Sequence, residues 1–309
     1  MIAPRLGMLA FIGFSAIAAL LVKTLLPDFS ASLIEPLHQQ CLSSCPQSRH
    51  FEMYAAIVCG SSLESDFTRD AFARTGLIHL LVVSGSHLVF LEDLLRLILP
   101  VRRFPRSSSA AIGLVLIGFA LVTRLQPPVL RACFAWLAGV VSETFILNWS
   151  RLVVLSVSGA STLFFCRTRG EVLSLGLSWA ASMALHLVSI HRRTGSVSLW
   201  LKTHITAYSL LWIPLATITV AHPVSILCNL LLGPIIGLVL FPVSVTAIIV
   251  PIVSTISDVL WDITLFVVNA TAELLPALRS PGTMPASWII LYVGIASIGL
   301  FYRERSRNR

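Results

Sequence analysis

Charged residues are scarce in this chain of 309 residues: they make up 12% of the sequence, whereas soluble domains contain about 25%. Hydrophobic residues account for 56%, and the mean hydropathy is +0.87. From 203 to 257 the chain has no Asp, Glu, Lys or Arg, and such a stretch is long enough for two membrane crossings at about 20 residues each. This composition excludes a soluble globular protein and predicts an all-α polytopic membrane protein.

The apolar segments predict about ten transmembrane helices, some of them discontinuous or kinked by proline. These spans are 6–26, 74–99, 109–125, 129–147, 151–166, 171–190, 198–220, 224–250, 255–275 and 286–302. The first lacks a cleavage site typical of signal peptides, so we expect it to be retained. The span 255–275 carries Asp258 and Asp262 one turn apart and could equally lie at the membrane interface. Region 51–72 is a similar case, too polar to cross but able to lie on the membrane surface.

The distribution of basic residues predicts the orientation in the membrane. The C-terminal segment after 302 contains four arginines and is expected in the cytoplasm. Ten spans then place the N-terminus inside, loop 27–70 outside and the basic loops near 102–106 and 192–202 inside. Arg167 and Arg169 fall on the outer side in this scheme, which leaves one misplaced span in the middle of the chain as an alternative.

The chain has only six cysteines, and no spacing among them is typical of a zinc site, so no metal is expected. Cys41 and Cys45 form a Cys-x3-Cys pair in the predicted outer loop, where an oxidising environment permits a disulfide. We predict that these two cysteines pair with each other, the alternative being two thiols in a poorly ordered loop. The other four lie in or beside apolar runs and are expected to be small core residues.

Polar residues within the apolar segments are the candidates for function, because each is costly in a bilayer. The segment 75–91 contains His79, His87 and a Ser84-Gly85-Ser86 sequence that is expected to interrupt the helix. Eight residues rotate a helix by about 800°, so an unbroken helix would not direct both histidines at one metal ion. They are expected to line a pore or to pack near the break.

Three further polar residues lie at or within apolar segments. Arg74 and Arg131 are expected to face a wet interior or to pair with an acid such as Glu143 or Glu171. Asn229, between leucine and cysteine, is expected either to bind a neighbouring helix or to line a lumen.

Four motifs in one order resemble the ComEC family of bacterial DNA-uptake channels, over about residues 55–250. The first follows the pattern G-L-x-H-L-L-x-x-S-G-x-H at Gly76, Leu77, His79, Leu80, Leu81, Ser84, Gly85 and His87. The second is similar at Pro128, Val129, Arg131 and Ala132, although Gln126 and Pro127 depart from it. The third is similar at Gly176, Leu177, Ser178 and Ala180 or Ala181, but lacks the polar glutamine of the family. The fourth is similar at Pro214, Asn229, Leu230, Leu231 and Pro234.

This resemblance implies a multi-pass channel in the bacterial inner membrane that passes single-stranded DNA into the cytoplasm during natural transformation. The candidates for the DNA path are Arg74, His79, Ser84, Gly85, His87, Arg131 and Asn229. The implied partners are single-stranded DNA and the lipid bilayer, with a separate nuclease, an outer DNA receptor, a cytoplasmic motor and a second copy of the chain as further candidates. No cofactor is expected.

Longer members of the family carry an outer oligonucleotide-binding-like domain and a metallo-β-lactamase-like nuclease domain. The outer loop of 44 residues is too short for the first, and the chain contains no H-x-H-x-D-H pattern, so we expect no catalytic residues and no enzyme. The expected division is an N-terminal helix and outer loop at 1–50, a channel domain at 51–275, and a last helix with a basic tail at 276–309. The alternative function is another membrane transporter, or a non-conducting remnant of the channel domain that acts as an assembly partner.

Overall fold

A computed structural model describes residues 2–25, 30–81, 84–100, 105–189 and 224–275, together with Ile205 and Ile295. Throughout these residues the regular structure is helical, as the composition predicted, and no strand is present. The predicted spans 198–220 and 286–302, the basic tail and Pro214 lie outside the described residues. The helices belong to two compact units, one containing residues 1–27 and 130–218 and the other containing 28–129 and 219–280.

The first unit contains α1 (Ile2–Leu25), most of α8 (Pro127–Thr144), α9 (Arg151–Leu163) and α10 (Arg169–Ser189). Helix α9 packs against both α1 and α10. Small residues make the approach of α9 and α10 close, because a Cβ added at Gly159 would overlap the ring of Trp179. Close packing through small residues is typical of helices in membranes, where association depends on van der Waals contact.

The second unit contains nine helices among its described residues. They are α2 (Glu35–Ser44), α3 (Phe51–Tyr54), α4 (Asp66–Arg74), α5 (Ile78–Leu81), α6 (Gly85–Ile98), α7 (Pro105–Val122), α11 (Val224–Ile235), α12 (Phe241–Ile249) and α13 (Val253–Glu273). Three π-helical segments, Ser30–Ile34, Ala55–Cys59 and Ile236–Leu240, extend α2, α3 and α11. The third lies between Pro234 and Pro242, which lack the backbone N–H that an unbroken α-helix needs.

Region 51–72 contributes to the core of the second unit. Tyr54, Ile57, Cys59 and Phe72 are fully buried and pack around Trp261 of α13. Two polar groups of this region are bonded internally, since Glu52 accepts the N–H of Ser65 and Tyr54 bonds to α13. Its apolar side chains lie on the buried face, which the average polarity of the region does not show, and a position at the membrane surface stays a prediction.

The acids of α13 are also compensated inside the protein. Asp258 Oδ1 accepts hydrogen bonds from Ser48 and from the hydroxyl of Tyr54, both at 2.9 Å. Asp262 pairs with Arg49 and with His50, whose Nε2 lies 2.8 Å from its carboxylate. The opposite face of α13 is exposed and apolar, and it contains Ile256, Val259, Ile263, Phe266 and Val267.

One contact bears on the expected orientation in the membrane. The ten-span scheme places loop 27–70 outside and the turn at 251–254 inside, whereas the hydroxyl of Tyr54 lies 3.3 Å from the carbonyl oxygen of Ser254. The orientation and the number of crossings stay predictions, and this contact provides a way to test them.

Two helices in the described residues are long and apolar enough to cross a membrane, namely Leu227–Ile249 and Val253–Glu273. Shorter apolar helices cover Leu6–Leu21, Ser107–Val122 and Arg151–Leu163. The predicted span 74–99 is divided, because α5 ends at Leu81 and α6 begins at Gly85. The structure therefore agrees with an all-helical membrane protein without reproducing ten crossings.

Candidate functional site

The first motif forms a broken helical segment in the second unit. Helix α4 ends at Arg74, and the chain turns through Gly76, whose φ of +72° lies in the left-handed region. Helix α5 follows for one turn and ends at Leu81. Ser84 then begins α6 as its N-cap, with Gly85 buried at the first helical position. The S-G-S sequence thus marks a real interruption, as predicted.

Asn229 of the fourth motif holds the turn at Gly76. Its Nδ2 donates to the carbonyl oxygen of Gly76 at 3.2 Å and to that of Ser225 at 2.8 Å. A Cβ added at Gly76 would lie 2.6 Å from Cβ of Ser225, so α11 approaches the turn as closely as glycine permits. Two motifs 153 residues apart are therefore joined by one amide. Of the two roles expected for Asn229, this geometry favours binding between helices.

His87 stabilises the start of α6. Its Nδ1 accepts a hydrogen bond from the backbone N–H of Ser84 at 3.0 Å, which completes a capping box. The ring is buried and stacks on Phe241 with centroids 4.4 Å apart. This position agrees with packing near the break, which is one of the two roles predicted for His87. His79 is half-buried on α5, one turn before the break.

The two arginines have partners other than the predicted acids. Arg74 forms an ion pair with Asp70, one turn earlier on α4, at 2.6 Å. In the first unit Arg131 is buried on α8, and its Nε donates to Oγ of Ser178 on α10 at 3.0 Å. Ser178 belongs to the third motif and Arg131 to the second, so these two motifs are also joined by a hydrogen bond.

Arg74 thus pairs with an acid, as one of its two expected roles required, but with Asp70 in place of Glu143 or Glu171, and Arg131 bonds to a hydroxyl. The carboxylate of Glu171 instead accepts the backbone N–H groups of Arg167 and Thr168 at the start of α10. A carboxylate is favoured there because the first N–H groups of a helix lack backbone partners and carry partial positive charge. Glu143 is exposed near the end of α8.

The cysteine pairing also differs from the prediction. Cys41 forms a disulfide with Cys59, with Cα atoms 5.9 Å apart, and Cys45 is a buried thiol. Cys41 and Cys45 lie one turn apart at the end of α2, where β-carbons four residues apart are separated by about 5–6 Å. A disulfide needs about 3.5–4.5 Å between them. The helix that the sequence did not reveal thus prevents the Cys41–Cys45 bond.

Sequence analysis missed a cavity of about 610 Å³ in the first unit. Its walls include Glu143, Trp149, Arg151 and the buried His186, contributed by α8, α9, α10 and the turn between α8 and α9. Charges of both signs line it, so it lacks the purely cationic character of a phosphate path. Ile146 and Asn148, which have positive φ, mark the turn. Asparagine is enriched at positive φ, whereas isoleucine rarely adopts it, so the sequence contains at most a weak signal, at Asn148.

The joined motifs coincide with the region matched by a known family. Residues 58–306 match the family model described as Competence protein, which covers the DNA-uptake channel domain. The chain belongs to the competence protein family. A relative described as an uncharacterized protein from Aquifex aeolicus (strain VF5) is 33% identical over 167 residues. That alignment covers 53% of this chain and 39% of the relative, so the chain spans well under half the length of that relative. No solved structure matches the chain.

Proposed function

We propose that this competence protein is an inner-membrane channel that passes single-stranded DNA into the cytoplasm during natural transformation. The observation that carries the proposal is the broken segment at 76–85, held by Asn229 of a distant family motif. Within a membrane, irregular backbone is tolerated only where it is buried in protein or lines a water-filled cavity. A protein that merely anchors itself in lipid has no need of such a break.

The exposed surface supports a position in the bilayer. Large apolar side chains are exposed on α6, α7, α11 and α13, including Leu97, Leu114, Leu231 and Phe266. Exposed apolar patches of this extent are rare on soluble monomers. Asp258 and Asp262 of α13 are bonded inward to segment 48–54, and the apolar stripe on the opposite face is available for lipid.

The candidates for contact with DNA are the interior polar groups of the four motifs, taken in each unit separately. Arg131 is the strongest candidate for contact with phosphate, because its hydrogen bond to Ser178 uses only Nε and the guanidinium has five N–H donors. The other candidates lie in the broken segment or directly beside it, and we propose that they shape the path there: Arg74, His79, Ser84, Gly85, His87 and Asn229. Ser178 positions Arg131. The chain is proposed to act without catalytic residues of its own, together with a separate nuclease, an outer DNA receptor and a cytoplasmic motor.

Gene deletion and complementation in a transformable host test the proposal. The deletion should abolish entry of labelled DNA into a nuclease-resistant cytoplasmic fraction while leaving DNA binding at the cell surface intact. Complementation with Arg131→Gln should reduce DNA entry at normal protein levels. Arg131→Lys should allow more entry than Arg131→Gln, because lysine keeps the positive charge but lacks the planar guanidinium group. Arg167→Gln, which changes an exposed arginine of the same unit, is the matched control.

A second candidate function is a non-conducting assembly partner. It is favoured by one observation, namely that Asn229, His87 and Arg74 are all engaged in bonds within the protein. In that case the deletion would lower the abundance of the other uptake proteins, and Arg131→Gln would leave entry unchanged. Normal DNA entry in the deletion strain, with the other uptake proteins at normal levels, contradicts both functions.

A further inference from the structure

Three cysteines from two helical elements converge in the second unit. The Sγ atoms of Cys41, Cys45 and Cys59 all lie within 4.8 Å of one another. Cys41 and Cys45 come from the end of α2, and Cys59 ends the π-helical segment against which α2 packs. Cys45 is not part of the disulfide, yet its Sγ lies 3.6 Å from Sγ of Cys59. The three sulfurs therefore form a triangle built from two elements.

The size of this triangle matches the spacing of thiolate ligands around a small cation. With zinc–sulfur bonds of about 2.3 Å, two sulfurs of a tetrahedral site lie about 3.8 Å apart. The Cys45–Cys59 separation is already close to this value. Only Cys41 and Cys59, which are bonded to each other, would need to separate, by rotation of their side chains.

Two of the three cysteines lie in the protein core and not at its surface. Cys45 and Cys59 are buried among Met53, Tyr54 and Ile57, whereas Cys41 is half-buried and leaves one side accessible. Burial raises the pKa of the Cys45 thiol to about 11, so a bare thiolate is disfavoured there. A bound cation supplies the positive charge that stabilises the thiolate, and binding then releases the proton.

We propose that reduction of the Cys41–Cys59 disulfide converts this cluster into a three-thiolate site for a thiophilic divalent cation, Zn²⁺ or its analogues. A dithiol reductant supplies two electrons and two protons to the two sulfurs and is itself oxidised to a disulfide. The three thiols release their protons as they bind the cation, and water fills the fourth position. Among the described residues no His, Asp or Glu joins the three cysteines in this group. The proposal does not depend on DNA transport.

Cobalt binding tests the proposal on the full chain in detergent. After anaerobic reduction with dithiothreitol and removal of the reductant, Co²⁺ should produce thiolate-to-cobalt absorption that saturates at one equivalent, and Zn²⁺ should abolish it. The oxidised protein should show no such absorption. Cys45→Ser should weaken Co²⁺ binding by at least about tenfold, because a ligand is lost. Cys228→Ser removes another buried thiol of the same unit and should have no effect.

The proposal is overturned if the reduced protein gives no thiolate absorption, or if Cys45→Ser binds Co²⁺ as the native chain does. A second measurement uses the native chain and therefore does not depend on whether the Cys45→Ser variant folds. In the reduced native chain, Zn²⁺ should protect Cys41, Cys45 and Cys59 from alkylation, as read by mass spectrometry, and leave the labelling of Cys166 unchanged. Equal alkylation with and without Zn²⁺ contradicts the site.

Discussion

At the scale of single residues, three polar side chains of the family motifs are bonded inside the protein. Arg131 bonds to Ser178, Asn229 to Gly76, and His87 to the N–H of Ser84. A buried polar group without a partner costs about 1–3 kcal/mol, so each bond fixes the position of its side chain. The partners of Arg131 and Asn229 belong to other motifs, whereas His87 bonds within its own.

Gly76 is the residue whose replacement has the clearest structural consequence. Gly76→Ala should lower the free energy of unfolding by about 1–3 kcal/mol, because φ is +72° and the new Cβ would meet Ser225. Thermal or denaturant unfolding in detergent measures this loss. Gly118→Ala in α7 is the control and should be neutral or slightly stabilising, because no described atom outside the helix's own backbone lies within 4 Å of the new Cβ. Equal stability of the two variants would contradict the close approach at Gly76.

Cys45 should react slowly with alkylating reagents in the folded oxidised protein. Burial raises its pKa from 9.0 to about 11, so at pH 8 the thiolate fraction is about two orders of magnitude below that of an ordinary cysteine. The rate of labelling by iodoacetamide should therefore rise with pH until the pKa is reached. Timed quenching and mass spectrometry give the rate, with the denatured chain as reference. Labelling at the same rate in the folded and denatured protein at pH 8 would refute this prediction.

At the scale of elements, α13 combines an apolar outer stripe with acids bonded to segment 48–54. Asp258→Leu should cost about 1–3 kcal/mol of unfolding free energy, because Ser48 and the buried Tyr54 lose a shared acceptor. The increase in hydropathy of the helix does not offset this loss, since the side chain faces the protein. Thermal unfolding in detergent measures the effect, and Asp93→Leu at an exposed position of α6 is the control. A stabilised Asp258→Leu variant would show that the acid has no structural partner.

At the scale of the whole molecule, contact between Tyr54 and Ser254 predicts that two distant segments label from one side of the membrane. Ser62→Cys and Ile252→Cys place exposed thiols on these segments. A membrane-impermeant maleimide should label both from the same side in intact cells and right-side-out vesicles. Labelling from opposite sides would contradict this contact and agree with the ten-span scheme. The expected cytoplasmic position of both termini stays a prediction, which a cysteine introduced into the tail tests in the same way.

Much of the fold was predictable from the sequence, but its connections were not. The helices α1, α7, α8, α9, α10 and α13 begin and end within a few residues of the predicted spans, because each coincides with an apolar run bounded by polar or proline residues. The break near Ser84 was predictable because glycine and serine interrupt an otherwise continuous apolar run. Region 51–72 was not, because burial depends on which face of a short helix meets a partner and average polarity does not record this.

The sequence by itself determined the helical class, the family and the residues that carry its motifs, since hydropathy and motif spacing are local properties of the chain. Only the tertiary structure decided how these residues are used. It joined the first motif to the fourth through Asn229 and the second to the third through Arg131, and it paired Cys41 with Cys59 instead of Cys45. Each of these choices depends on distances between atoms on separate helices, and those distances are fixed by packing across many residues of chain.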